Sequence, residues 1–103
     1  MKIPSSLNIK GADWKIVLKD RLFDEGEEIR GLCDFEEKTI YISIQGHKTT
    51  KSMHATFLHE LFHAVLFENA LDQTDLDRNL HEIIVESLSR FMLDTFTMSL
   101  KKR

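Results

Sequence analysis

The chain has 103 residues, 42% of them hydrophobic, with 17 acidic against 14 basic side chains and a net charge of -3. That length, with no compositional break, suits one domain over residues 1–103. Mild acidity with interspersed signs excludes the basic face of a dedicated nucleic-acid binder, and residues 101–103 read as a short solvated basic end.

Cys33 is the only cysteine. No intrachain disulfide or cysteine-rich metal site can therefore form, and the expected role is a small buried hydrophobe. Residues 1–11 lack the apolar stretch of a signal peptide, and no run approaches the roughly 20 apolar residues of a membrane span. A soluble, cytoplasmic protein with no membrane partner is expected.

In chain order, residues 14–19 alternate as a first strand, and the acidic, Gly26-containing residues 20–28 read as a loop. Residues 30–35 and 39–44 read as a hairpin turning at 36–38. In its second strand Ile40, Ile42 and Ile44 share one face and Thr39, Tyr41 and Ser43 the other, the pattern of an antiparallel sheet solvated on one side. A polar connection, 45–51, leads to a helix that Thr50 or Ser52 would cap. That helix spans about 53–67, with Asn69 as its terminator and 69–75 as a loop. A long second helix is expected over about 76–97, with Leu76, Leu80, Ile83, Ile84, Leu88, Phe91 and Thr95 as its apolar stripe. The predicted fold is α+β: a three-stranded antiparallel sheet, then a helix packed between that sheet and a long C-terminal helix.

The first helix carries His59-Glu60-Leu61-Phe62-His63, an H-E-x-x-H pentapeptide. Residues turn about 100° each on a helix, so His59 and His63 return to within about 40° and present two imidazoles to one point. Glu60 lies on their flank, where a carboxylate reaches a water without being a ligand. This is the arrangement of a zinc hydrolase. The surrounding residues 53–67 contain no Gly or Pro and are apolar on most faces. Three ionisable groups in such a helix need a reason, because unpaired burial costs several kcal/mol.

A catalytic zinc usually has three protein ligands and a water. The second helix offers three candidates. Glu82 gives H-E-x-x-H-x(18)-E, a spacing of glutamate-type zincins; Glu86 lies one turn later on nearly the same face, and His81 points toward the apolar side. A charged helix face is ordinarily just solvated, and only the neighbouring motif lifts these residues above that reading.

The Ile-rich hairpin, the helix His59-Glu60-Leu61-Phe62-His63-Ala64, and the later Glu82-x-x-Val85-Glu86-x-Leu88-Ser89 resemble the small ImmA/IrrE-type metallopeptidases. They are closer still to short phage- and prophage-encoded proteins of the H-E-x-x-H type. The resemblance covers about residues 30–93 and implies a minimal zincin-like domain. The family's second helix carries E-x-x-A-N-x-F-A, with its leading Glu as third zinc ligand; here that Glu falls on Glu82. Glu86 replaces the usual Asn. Glutamate-type zincins often have such an acid four residues after the ligand, where it orients a ligand histidine. Larger family members add helices or a DNA-binding domain for which this sequence has no counterpart.

The resemblance implies zinc held by His59, His63 and Glu82, with Glu60 as the general base of peptide-bond hydrolysis. The substrate would be a protein or peptide, such as a regulatory protein of a phage or mobile element, extended along residues 39–44 as an edge strand. Tyr41, His81, Arg78 and His47 are all available to stabilise an oxyanion, and the sequence does not choose. Taken singly, Tyr41 reads as a packed strand residue, His47 as a solvated loop residue and His54 as structural. Two alternatives stand: a non-catalytic zinc-binding interaction module, or a SprT-like protease if His81 is the third ligand. Glu60 favours catalysis, since a purely structural site needs no such carboxylate.

Overall fold

A computed structural model describes residues 2–69 and 78–101, with side-chain surroundings for 2–69 and 79–95. The order is β1 (Ser6–Ile9), β2 (Ala12–Lys19), β3 (Leu22–Asp24), β4 (Glu27–Ile29), β5 (Gly31–Asp34), β6 (Thr39–Ser43), α1 (Thr50–Glu68) and α2 (Arg78–Lys101). The α+β class holds, but the sheet differs from the predicted one. It has four strands in the order β1-β2-β6-β5, antiparallel except for the parallel pair β2–β6. β3 and β4 form a separate hairpin inside the expected acidic loop.

Two-residue turns explain both additions. Lys10-Gly11 joins β1 to β2 and Glu25-Gly26 joins β3 to β4, all four residues at positive φ. That is the conformation whose twist matches two antiparallel strands, and a glycine at its second position relieves the strain. Asn8 secures the first turn by accepting from the Gly11 N–H at 3.0 Å.

The parallel pairing puts β6 in the middle of the sheet, so residues 39–44 are not the edge; β5 is. β6 is covered on both faces. Ile40 and Ile42 are fully buried beneath α1, as expected, but Thr39 and Ser43 are buried as well. The Ser43 hydroxyl donates to the Asp20 carbonyl (3.3 Å) and accepts from the Gly46 N–H (2.9 Å), and the Thr39 hydroxyl donates to the Glu37 carbonyl. Such bonding is what makes buried hydroxyls tolerable. Ile44, beyond the strand, is 41% exposed.

Phe57, Leu58 and Ala64 of α1 close the core over Ile9, Trp14, Ile16, Ile40 and Ile42. The helix is capped by Thr49, not Thr50 or Ser52. Thr49 keeps extended backbone angles and its hydroxyl accepts from the Ser52 N–H at 3.0 Å. Asn69 ends the helix as expected, its backbone N–H returning to the Val65 and Leu66 carbonyls.

α1 lies between the sheet and α2, as predicted. The face that α2 turns to it is not the predicted one. Val85, Ser89 and Leu93 are buried, whereas Leu80, Ile83, Leu88 and Phe91 are exposed and Ile84 is half-buried. Thr95 is exposed too. The buried set recurs every four residues, roughly opposite the apolar stripe around the helix. Two small residues, Val85 and Ser89, line the seam, and the Ser89 hydroxyl is satisfied by the Val85 carbonyl one turn back. Leu76, most of the loop 69–75 and the last residues of the basic end lie outside the described residues. No helix among the described residues is long and apolar enough to cross a membrane.

Candidate metal centre

α1 brings the two motif histidines together as its periodicity requires. Their Nε2 atoms stand 3.2 Å apart, with the rings edge to face at 4.9 Å between centroids. Glu82 reaches across from α2, Oε2 at 3.5 Å from His59 Nε2 and Oε1 at 3.4 Å from His63 Nε2. Among the described residues, these three form the cluster whose ligand atoms converge. With one ligand atom taken from each residue, all three lie within 4.8 Å of one another. Donors held at about 2.0–2.1 Å around a tetrahedral zinc stand roughly 3.3–3.4 Å apart, so the two imidazole nitrogens at 3.2 Å are spaced for that ion, with one Glu82 oxygen close to each of them.

Glu86, one turn beyond Glu82, meets the other nitrogen of the first histidine. Its Oε1 accepts from His59 Nδ1 at 2.6 Å. The proton is thereby fixed on Nδ1, and in the neutral ring Nε2 turns a lone pair to the cluster. His81 does not join the ligand triangle. Its ring stacks on His63, 26° from parallel at 5.1 Å, and so limits the tilt of that imidazole.

Glu60 projects from α1 to the strand side. Burial pushes its carboxyl up to about 7, with the neighbouring Glu82 charge adding to the rise and His59 opposing it. The strand beside it is β5, and the close residue is Gly31. A Cβ at position 31 would stand 2.5 Å from Thr56 Cγ2, 3.2 Å from Glu60 Cγ and 3.3 Å from Glu60 Oε2. The absent side chain therefore lets Glu60 lie against the edge strand. Nothing in the sequence reading marked Gly31, although a glycine inside a strand is itself a sign of close approach.

His47 is no solvated loop residue. Its Nδ1 lies 2.7 Å from the Ser43 carbonyl and its Nε2 2.7 Å from Thr56 Oγ1. A carbonyl only accepts, so Nδ1 carries the proton and, in the neutral ring, the Thr56 hydroxyl donates to Nε2. The ring thus braces β6 against α1 one turn before the motif. Tyr41 alternates with Ile40 and Ile42 and so faces away from α1, with Lys19 over its ring at 5.2 Å. Neither residue is placed to meet an oxyanion at the cluster, and the Arg78 side chain lies outside the described residues. His54 is half-buried and gives no ligand atom to the triangle.

The centre opens to solvent on one side. His59 and His63 are 24% and 14% exposed and Glu82 51%. Cavities of about 460 Å³ and 200 Å³ flank Glu60, the first shared with Gly31, Thr56 and His59, the second with Gly31, Cys33 and His63. No family model, curated protein or solved structure matches this chain.

Proposed function

We infer that the protein is a zinc-dependent peptidase with a minimal zincin-like domain, similar in its motifs to the ImmA/IrrE-type metallopeptidases, acting on a protein or peptide substrate. The observation that carries this reading is the cluster of His59, His63 and Glu82 beside a half-buried carboxylate, that of Glu60, which is not part of it.

His59, His63 and Glu82 would hold the ion. Bound there, zinc supplies Lewis acidity, polarising a carbonyl and acidifying the water that attacks it. Glu60, raised toward neutrality by burial, accepts that water's proton and returns it to the departing amine. Glu86 keeps the His59 ring in the orientation and tautomer that binding needs. The edge of β5 offers main-chain groups to an extended substrate segment, with Gly31 bringing that edge beside Glu60. The 460 Å³ cavity next to Gly31 leaves room for the chain at this point.

A second reading draws on how α2 is held. Its main partner is α1, and Glu82 and Glu86 both reach α1 histidines. An ion there would cross-link the two helices without turnover. Metal analysis with a peptide-library digest separates the two. The expected result is about one zinc per chain, strongly reduced in His59→Ala, His63→Ala and Glu82→Ala, with metal-dependent cleavage by the intact protein. Full zinc content in Glu82→Ala would remove that ligand, and zinc binding without any cleavage would leave the cross-link.

A further inference from the structure

The cavity beside Glu60 continues into a second one of about 280 Å³, the two sharing Ser52, Ala55 and Glu86. Together they make a groove that leaves the metal centre along the seam of α1 and α2 toward the start of α1. Its charges are distributed unevenly. Glu60 and Glu86 stand at the metal end, Glu86 already engaged by His59. Arg30, Lys51 and Arg90 line the rest, and among the described residues none of the three makes an ion pair. All three are exposed, so a ligand in the groove meets their charges without a burial cost to the empty protein. A chain of net charge -3 thus presents a cationic groove next to its reacting centre.

We propose that this groove selects an acidic stretch of the polypeptide substrate, with a carboxylate side chain about two to four residues from the bond that is cut. The spacing follows from the helices. Arg90 lies one turn beyond Glu86, about 6 Å along α2, and Lys51 lies eight residues before His59, about 12 Å along α1. An extended peptide advances about 3.3 Å per residue, so these cations fall opposite the second to fourth residue from the centre. A nucleic-acid strand suits the groove less well, because Glu60, Glu82 and Glu86 would repel its phosphates where the groove meets the metal centre. The assignment rests on the hydrolytic site proposed above and adds the class of substrate that it takes.

The test is binding of labelled ten-residue alanine peptides carrying three glutamates, three glutamines or three lysines, measured by fluorescence anisotropy on zinc-loaded Glu60→Gln protein. The glutamate peptide is expected to bind about tenfold tighter than the glutamine one, an advantage that salt weakens. Arg90→Glu and Lys51→Glu should each remove most of that advantage, and together they should turn the preference to the lysine peptide. Equal binding of the three peptides, or a preference unchanged in both variants, overturns the proposal. Tighter binding of a single-stranded oligonucleotide than of the glutamate peptide overturns it as well. Digestion by the protein with Glu60 intact separates the two levels. Cleavage without preference for nearby acids sinks the groove and leaves the peptidase. Groove-dependent binding of the glutamate peptide with no cleavage keeps the groove and sinks the peptidase.

Discussion

A methyl group added at Gly31 would stand 2.5 Å from Thr56 Cγ2 and 3.2 Å from Glu60 Cγ, well inside the separation at which unbonded carbons attract. Gly31→Ala is therefore expected to cost about 1–3 kcal/mol, the usual range for overpacking. Thr56→Ser removes the nearest methyl yet keeps the hydroxyl that His47 holds. The double variant should recover at least half of the loss in urea unfolding, and no recovery would place the clash elsewhere. Glu86 gives a second prediction of the same kind. Its hydrogen bond orients the His59 ring, so Glu86→Ala should weaken zinc about 10–100-fold in competition with a chromophoric chelator. Unchanged affinity would reduce Glu86 to an exposed charge. If the proposed hydrolysis holds, Glu60 is its proton acceptor and no ligand, so Glu60→Gln should keep about one zinc per chain and lower cleavage by about 10²–10⁴. At this scale the meeting of His59 and His63 is legible in the sequence, because the helical repeat alone brings the two rings together. Gly31 is not, since a single close approach between distant segments leaves no pattern in either.

α2 shows how an element is misread when periodicity is taken without its neighbours. Leu80, Ile83, Leu88 and Phe91 form the more apolar stripe, and yet they are 46, 59, 41 and 66% exposed. The helix instead meets α1 through Val85, Ser89 and Leu93, a less apolar set that shares a face with Glu82 and Glu86. Small residues on that seam let the two backbones approach until both carboxylates span the gap. Truncation distinguishes the faces. Val85→Ala empties a fully buried position and should cost about 1–2 kcal/mol, whereas Phe91→Ser should stay within about 0.5 kcal/mol. The reverse ranking in thermal unfolding would return the apolar stripe to the core. In the sheet, alternation makes β2, β5 and β6 readable and not β1, and it does not name the neighbour. The parallel β2–β6 pair, which moves residues 39–44 from the edge to the centre, joins segments about 24 residues apart and has no local signal. The two missed hairpins did have one, in Lys10-Gly11 and Glu25-Gly26. The acidic residues around the second favour a loop by composition, and the turn outweighs them.

Over the whole molecule, the far end of α1 is tied to the sheet through one carboxylate. Glu68 Oε2 accepts from Trp14 Nε1 at 2.8 Å and from Lys38 Nζ at 2.9 Å. It thus links the helix terminus to β2 and to the β5–β6 turn, while His47 braces the same helix near its start. Between these two fixed points the motif residues are held at a set height over the sheet. The Lys38 ammonium, and after it the Trp14 indole, keep the Glu68 carboxyl below its ordinary value of 4.5. On acidification the unfolded chain therefore takes up this proton before the folded one does. The tie contributes fully above about pH 4.5 and is lost as pH falls through the lower, folded value. Glu60 works in the opposite sense, its raised carboxyl disfavouring the folded metal-free chain as pH climbs toward 7, but it is common to any pair of variants that differ only at Glu68. Urea midpoints of the metal-free protein and of Glu68→Gln, taken between about pH 3 and 7, should hold a constant gap above pH 5 and converge below pH 4. Trp14 is the only tryptophan and is fully buried, so its emission reports unfolding directly. A gap that persists undiminished to pH 3 would mean that Glu68 holds the helix through packing and that its charge adds nothing.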